Sequence, residues 1–393
     1  MLEAARDWCS QYSPDERLES PAVADADPER RLRVGYVSAD FRSHPVGYFI
    51  ESVLTCYDRS QYEVFCYANG EECDDLTRRL QGRVDHWRTI AGQRDEEVAE
   101  QIRQDGIDIL IDLSGHTAKN RLPVFARKPA PVQVTWMGYF ATTGLTAMDY
   151  IVADHFVIPP SEERYYVERV VRLPDSYLCF TPPPYDVAVS APPALSKGYV
   201  TFGCFQNIAK LARSVECWSR LLRAVPGSQL YLRNKSLGDK GVQEWCAALF
   251  AEQGIEAERI RMAGYAPRDK LLAAYGEVDV ALDPFPYNGG TTTVEALWMG
   301  VPVVSLRGER FVSRVGDSIL TTMGLEELVV DTEDAFIEKA LTLAEDPSRL
   351  ATMRKGLRDK LTSSPLCDGP AFTRSLEAAY RAMWEARCRE ASS

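Results

Sequence analysis

The sequence predicts an α/β protein of two doubly wound parallel sheets, and three observations carry that expectation. A chain of 393 residues is long for one hydrophobic core. Short apolar runs alternate with stretches of helical period, the pattern of parallel strands joined by helices. Between Thr181 and Pro193, five prolines in thirteen residues mark a stiff connector that divides the pattern in two. Two open sheets of this kind, facing one another, place a ligand in a central cleft at their strand C-termini.

In chain order, 1–31 is polar, with Pro14, Pro21 and Pro28, and reads as a leader or linker outside either core. The first domain, 32–180, opens on a strand over 32–38. A helix (46–57), a strand (62–67), a helix (95–104) and a strand (107–113) follow, with further strands over 132–136, 150–152 and 169–171. After the connector, 181–198, the second domain spans 199–366. It starts on a strand over 199–203 and continues through 229–232, 260–262, 278–282, 303–304 and 328–330. Helical spacing returns over 335–344 and 350–361. The closing segment, 367–393, holds a helix over 371–388, long enough to pack back across the first domain.

The stretch from Val278 to Leu306 organises the second domain. Asp283-Pro284 ends a buried strand, because proline cannot donate to a ladder. Asn288-Gly289-Gly290 supplies residues that tolerate positive φ. Thr291, Thr292 and Thr293 then sit where a helix begins, and Gly300-Val301-Pro302 stops it. Backbone N–H groups and threonine hydroxyls at such a terminus form an anion site. The macrodipole alone supplies only about 0.3–1 kcal/mol, so a diphosphate there needs several converging charge-assisted hydrogen bonds. Thr292-x-x-Glu295 also fits a capping box that requires no ligand, and the two readings are compatible.

Composition bounds the function. Lys+Arg 45 against Asp+Glu 57 gives a net charge of −12, which argues against a nucleic-acid-binding surface over the whole protein. Ten scattered cysteines without a CxxC, and four scattered histidines, show no zinc ligand set and fit idle thiols in a reducing compartment. No apolar run approaches the roughly 18 residues of a membrane span, and no signal-peptide core opens the chain, so a cytoplasmic protein without a membrane partner is expected.

Five blocks then occur in one order: Asp40-Phe41-Arg42-Ser43-His44-Pro45, Leu113-Ser114-Gly115-His116-Thr117-Ala118, Lys128-Pro129-Ala130-Pro131-Val132-Gln133, Phe205-Gln206-Asn207-Ile208-Ala209-Lys210 and the stretch 283–300. Together they resemble the catalytic region shared by protein O-GlcNAc transferases and plant SPINDLY proteins, over about 32–385. The resemblance implies a GT-B fold of two Rossmann-like domains, inverting chemistry without a metal or cofactor, a nucleotide-sugar donor and a protein or peptide acceptor. It places Lys210 on the donor diphosphate, where a fixed ammonium stabilises the leaving group. Gln206, Asn207, Gly290, Thr291, Thr292 and Thr293 fall on donor-binding positions, and Glu295 stands where an acidic residue holds the ribose. Arg268 and Ala266 lie on the nucleotide side. His44 matches a histidine at the sugar end, and His116, Tyr139 and Thr143 fall on the acceptor or sugar side. His86 and His155 gain no such support and are taken as structural.

The sequence also departs from the pattern. Leu271 replaces a histidine near the base, and Gly290 replaces the one that precedes the threonine pair in O-GlcNAc transferases. Helical repeats of about 34 residues normally precede this region in the family and hold the acceptor, and none is found here. The first expectation is transfer of GlcNAc from UDP-GlcNAc to Ser/Thr of acceptor proteins. Transfer of fucose from GDP-fucose is the alternative, because Gly115-His116-Thr117-Ala118, Arg172-Leu173-Pro174-Asp175 and Phe285-Pro286-Tyr287 look more like SPINDLY. Asparagine-linked glucosyl transfer, nucleotide-sugar epimerisation and an inactive nucleotide-binding module stay open behind these.

Overall fold

The computed structural model describes residues 2–12 and 25–392. The chain divides into two compact units, Met1–Thr181 with Asp368–Ser393, and Pro182–Cys367. The first unit contains α1 (Leu2–Tyr12), β1 (Leu32–Ser38), α2 (Pro45–Cys56), β2 (Tyr62–Ala68), α3 (Asp75–Gln81), β3 (His86–Thr89), α4 (Asp95–Gln104), β4 (Ile109–Asp112), α5 (Leu122–Ala126), β5 (Val132–Thr135), β6 (Tyr150–Ala153) and β7 (Arg169–Arg172). Its seven strands are parallel, in the order β3-β2-β1-β4-β5-β6-β7. Inner strands buried on both faces need apolar side chains at almost every position, and β4 and β5 are buried throughout. The edge strand β3, His-Trp-Arg-Thr, is half exposed and carries no apolar run, which is why periodicity does not reveal it.

The second unit contains α6 (Ala194–Lys197), β8 (Thr201–Cys204), α7 (Ser214–Ala224), β9 (Gln229–Arg233), α8 (Lys240–Ala251), β10 (Ile260–Ala263), α9 (Arg268–Ala274), β11 (Val280–Leu282), α10 (Thr291–Trp298), β12 (Val303–Leu306), α11 (Val315–Thr322), β13 (Val329–Val330), α12 (Glu333–Ala344) and α13 (Pro347–Thr362). Its six strands are also parallel, in the order β10-β9-β8-β11-β12-β13. In each sheet the chain winds outward in both directions from a central pair. The pair is β1 and β4 in one unit, and β8 and β11 in the other. Such pairs mark the topological switch points where α/β sheets bind ligands.

The last helix, α14 (Gly369–Ser392), belongs to the first unit. Phe372 stacks on Trp136, and Tyr62 donates its hydroxyl to the Glu377 carbonyl at 2.9 Å. Trp384 donates its indole N–H to the Asp27 carbonyl at 3.2 Å, and Arg30 donates to Asp108 at 2.9 Å. The described part of the N-terminal segment is therefore no loose leader. Its residues 25–31 are tied down by α14 and Asp108, and Leu2–Tyr12 is a helix whose Cys9 is buried in the core. Residues 13–24, with Pro14 and Pro21, lie outside the described residues.

The proline-dense connector, expected to be stiff, is bonded to the second unit. Buried Arg354 donates to the carbonyls of Ser190, Val278 and Tyr275 at 2.6, 2.6 and 2.9 Å. Arg358 donates to the carbonyls of Val187 and Trp298. Two connector carbonyls, those of Ser190 and Val187, thus take their donors from side chains of α13 rather than from a ladder. No helix among the described residues is long and apolar enough to cross a membrane.

Arg354→Ala strands the Ser190 and Val278 carbonyls in the interior, whereas the Tyr275 carbonyl keeps the Val278 N–H. At about 1–3 kcal/mol for each unsatisfied buried group, we expect a loss of about 2 kcal/mol or more, seen as a lower urea midpoint for the second unit.

Candidate functional site

The second unit gathers its chemistry at the β8/β11 switch point. Gln206 to Lys210 follow β8, and the loop 283–290 follows β11 and leads straight into α10. Asp283 is buried at the root of that loop. It accepts from the Gly289 N–H and the Ser305 hydroxyl, each at 2.7 Å. Asn288 donates its side-chain amide to the Pro284 carbonyl at 3.1 Å, so the loop is closed on itself. Gly289 is required for room rather than for a left-handed backbone: a Cβ there would stand 1.7 Å from the Gln206 amide and 2.5 Å from the Thr293 hydroxyl. The expected positive φ at Asn288, Gly289 or Gly290 does not occur.

Lys210 ends a 3₁₀ turn, Ile208–Lys210, whose first turn Asn207 caps by accepting from the Ala209 N–H at 3.0 Å. Its ammonium donates to the Asn288 carbonyl at 2.9 Å and lies 3.7 Å from the centroid of the Tyr287 ring. Burial pushes Lys210 down to about 8, against the attraction of Asp283. Burial also pushes the Asp283 carboxyl up to about 7, against the bonds from Ser305 and Gly289 and the charge of Lys210. Each charge thus steadies the other through space, with Asp283 fully buried and Lys210 half-buried.

At the start of α10 the hydroxyls of Thr291, Thr292 and Thr293 are all buried, and none has a hydrogen-bond partner. Gly290 is the residue before the helix, and no side chain caps it. The capping box that Thr292 and Glu295 fit by spacing therefore does not form. Glu295 is turned instead toward Arg268 at the start of α9, at 3.1–3.2 Å. Burial raises the Glu295 carboxyl, and the Arg268 charge opposes that. A buried polar group normally finds a partner, so three unpartnered hydroxyls at an uncapped helix N-terminus constitute a donor array suited to an anion. Gln206, Asp283, Thr292 and Thr293 line a cavity of about 20 Å³ beneath it. Ala266 lies in the loop between β10 and α9, beside Arg268 in sequence, and is half-buried.

The β1/β4 switch point of the first unit carries the histidines. His44 caps α2, its Nδ1 accepting from the Val46 N–H at 3.4 Å with Asp40 at 3.6 Å. Burial lowers its proton affinity, and Asp40 opposes that. His116 follows β4, with Tyr139 at 5.3 Å between ring centroids. The loop residue Gly115 has φ +51, and a Cβ there would come within 2.2 Å of the Tyr139 Cβ. Thr143, expected on the acceptor side, is instead fully buried: its N–H and hydroxyl both donate to Glu168, and its carbonyl accepts from His116 at 2.7 Å. His86 pairs with Glu63 at 2.7 Å.

Asp283, Tyr287 and Glu168 escape the sequence reading. An acidic residue closing an otherwise apolar strand is the one signal that could have pointed to Asp283. Among the described residues no three His, Cys, Asp or Glu side chains gather as a metal site.

Comparison with known proteins is consistent across the whole chain. The family described as Glycosyl transferase family 41 matches residues 19–180 and 187–376. A probable UDP-N-acetylglucosamine–peptide N-acetylglucosaminyltransferase SPINDLY of Petunia hybrida is 42% identical over 99% of this chain and 42% of its own length. The corresponding SEC protein of Arabidopsis thaliana is 33% identical over 91% of this chain and 38% of its own. The chain thus spans about two fifths of these relatives. A variant of Thermobaculum terrenum O-GlcNAc transferase superposes with a TM-score of 0.94 at 43% identity, covering 99% of this chain and 74% of that one. Sucrose-phosphate synthase of Thermosynechococcus elongatus, at 14% identity and a TM-score of 0.58 over 91% and 100% of the two chains, shares the two-sheet GT-B fold.

The raised Asp283 carboxyl has a stability consequence. Between its ordinary value of 3.8 and about 7, the folded protein holds a proton that the unfolded chain releases, so this contribution is present at low pH and lost as pH rises through that window. Lys210, lowered from 10.5 to about 8, acts with the opposite sign above pH 8. The wild type minus Asp283→Asn difference in unfolding free energy should therefore fall steadily from about pH 4 to 7 in urea titrations.

Proposed function

The chain belongs to glycosyl transferase family 41, and on that premise we propose that it is an inverting protein glycosyltransferase moving GlcNAc from UDP-GlcNAc to Ser/Thr hydroxyls of acceptor proteins. The observation that carries the proposal is the convergence of the Lys210 ammonium and the unpartnered Thr291 and Thr292 hydroxyls on the loop that opens α10. When the acceptor oxygen attacks C1, the bond to the diphosphate breaks on the opposite face, and negative charge collects on the β-phosphate. An ammonium has three donors, of which Asn288 takes one, so Lys210 can turn the others to phosphate oxygens. Held beforehand in a partly dry loop, it needs little reorganisation as that charge appears.

Glu295 and Arg268 supply a rigid carboxylate–guanidinium pair one turn into α10, which we assign to the ribose and nucleotide. His44 and His116 are assigned to the sugar and acceptor. The lowered proton affinity of His44 keeps its ring neutral near pH 7, and with Nδ1 accepting from the Val46 N–H it presents Nε2–H, a donor that can orient a sugar or acceptor oxygen. Neutralising the leaving group falls to Lys210 and the α10 terminus, without a metal. The ten cysteines are all free thiols, which supports a cytoplasmic setting. The names of the related proteins support UDP-GlcNAc as donor and peptide as acceptor.

Incubation with UDP-GlcNAc and acceptor peptides, followed by mass spectrometry, should yield a hexosamine adduct. Calorimetry should show UDP binding and little response to GDP. Transfer of another sugar, or preference for GDP, overturns the donor assignment. Lys210→Ala should lower kcat by about 10²–10³, the effect of removing a transition-state donor, with an unchanged circular-dichroism melt. Thr292→Val removes a hydroxyl that has no partner to lose, so its thermal midpoint should be unchanged or higher, whereas UDP affinity should drop about tenfold or more by calorimetry.

A further inference from the structure

We propose that α1 forms the wall behind His116 and that Trp8 is a positioning residue for that imidazole, an inference that rests on assigning His116 to the sugar or acceptor side. Three residues at helical spacing on one face of α1, Ala5, Trp8 and Cys9, make the contact. A Cβ at Gly144 would lie 2.7 Å from Ala5, so the helix backbone is seated directly on the 142–144 loop. The Trp8 ring meets His116 edge-on, with centroids 4.8 Å apart at 88°. Cys9 donates its thiol to the Thr143 carbonyl at 3.4 Å.

That carbonyl also accepts from His116 Nε2 at 2.7 Å. A carbonyl has no proton to give, so Nε2 carries the hydrogen and the neutral ring presents Nδ1 as its acceptor. The assignment depends on the loop staying where it is, and Glu168 holds it: the carboxylate accepts from the Thr142 hydroxyl at 2.6 Å and from the Thr143 N–H at 2.7 Å. A second aromatic ring, Tyr139, meets the imidazole at 5.3 Å and is itself pressed against Gly115. Rotation of the ring, which would exchange the two nitrogens, needs one flank to give way. Tyr139 is boxed in by the β4 loop. Trp8 is the flank supplied from elsewhere in the chain, packed against the core cluster that holds Cys9, Leu145 and Met148. Its indole therefore decides whether His116 keeps one tautomer and one orientation.

The burial of Cys9, with the neighbouring Glu168, pushes its thiol up to about 11, so it remains a donor at neutral pH and supports the same carbonyl. The family-41 match begins at residue 19, after α1, so this wall lies outside the matched segments.

The test uses the full chain with 15N-labelled histidine, His116 being assigned from the signal lost in His116→Gln. Wild type should show a single Nε2–H tautomer at His116. Trp8→Ala should show averaged shifts of exchanging tautomers, and Trp8→Phe, which retains an aromatic edge, should restore most of the wild-type pattern. In transfer assays Trp8→Ala should lower kcat about tenfold, with UDP affinity and donor KM within twofold of wild type. Unchanged His116 shifts in a folded Trp8→Ala protein overturn the inference, as does a kcat loss matched by the fraction unfolded. The nitrogen shifts decide the point whether or not the wild type transfers GlcNAc, so failure here and failure of the proposed activity are told apart.

Discussion

One half-buried cation governs the second unit. Lys210 is removed from part of its water, and a partly desolvated ammonium needs oriented partners. The Asn288 carbonyl, the Tyr287 ring and the Asp283 carboxylate supply them, all from the single loop that follows β11. Holding that loop still is therefore a condition for holding the charge. Asp283 does so through Gly289 and Ser305, and Gly289 does so by letting Gln206 pack where any side chain would collide. The same loop then delivers the chain to α10, whose first three hydroxyls are left unpartnered. A fold that places its polar side-chain contacts on the loop and none on the threonine hydroxyls keeps those donors in reserve at one place.

The first unit uses the same topological device for a different purpose. Its β1/β4 pair presents two imidazoles rather than a cation and hydroxyls, and its supporting carboxylates, Asp40 and Glu168, act on orientation. His44 sits at the start of α2, and His116 is clamped by Thr143, Tyr139 and Trp8. In both units the groups assigned to a ligand are few, and a larger number of buried polar residues serve to keep them in one geometry.

Much of this was legible in the sequence, for identifiable reasons. Strands buried on both faces, such as Ile109–Asp112, announce themselves as apolar runs, and the loop from Asp283 to Gly290 is punctuated by Pro and Gly. The resemblance then drew Lys210, Thr291, Thr292 and Glu295 together. What escaped was whatever depends on tertiary neighbours. The edge strand His86–Thr89 has no pattern to read. The spacing of Thr292 and Glu295 satisfied a capping rule that Arg268, from another helix, overrode. Thr143, expected on the acceptor side from the resemblance, is buried and bonded to Glu168, 25 positions away, a neighbour that no local pattern announces. The N-terminal helix had a signal, Leu2, Ala5 and Cys9 at helical spacing, but its polar surroundings and the following prolines masked it.

The central claim is that the diphosphate of a nucleotide sugar rests between Lys210 and the first turn of α10. A crystal structure of the chain with UDP tests it most directly. The account predicts a β-phosphate oxygen about 3 Å from Lys210 Nζ and from the Thr291 or Thr292 hydroxyl, at hydrogen-bond distance. A diphosphate bound away from the α10 terminus, with Lys210 still donating only to the Asn288 carbonyl, contradicts it.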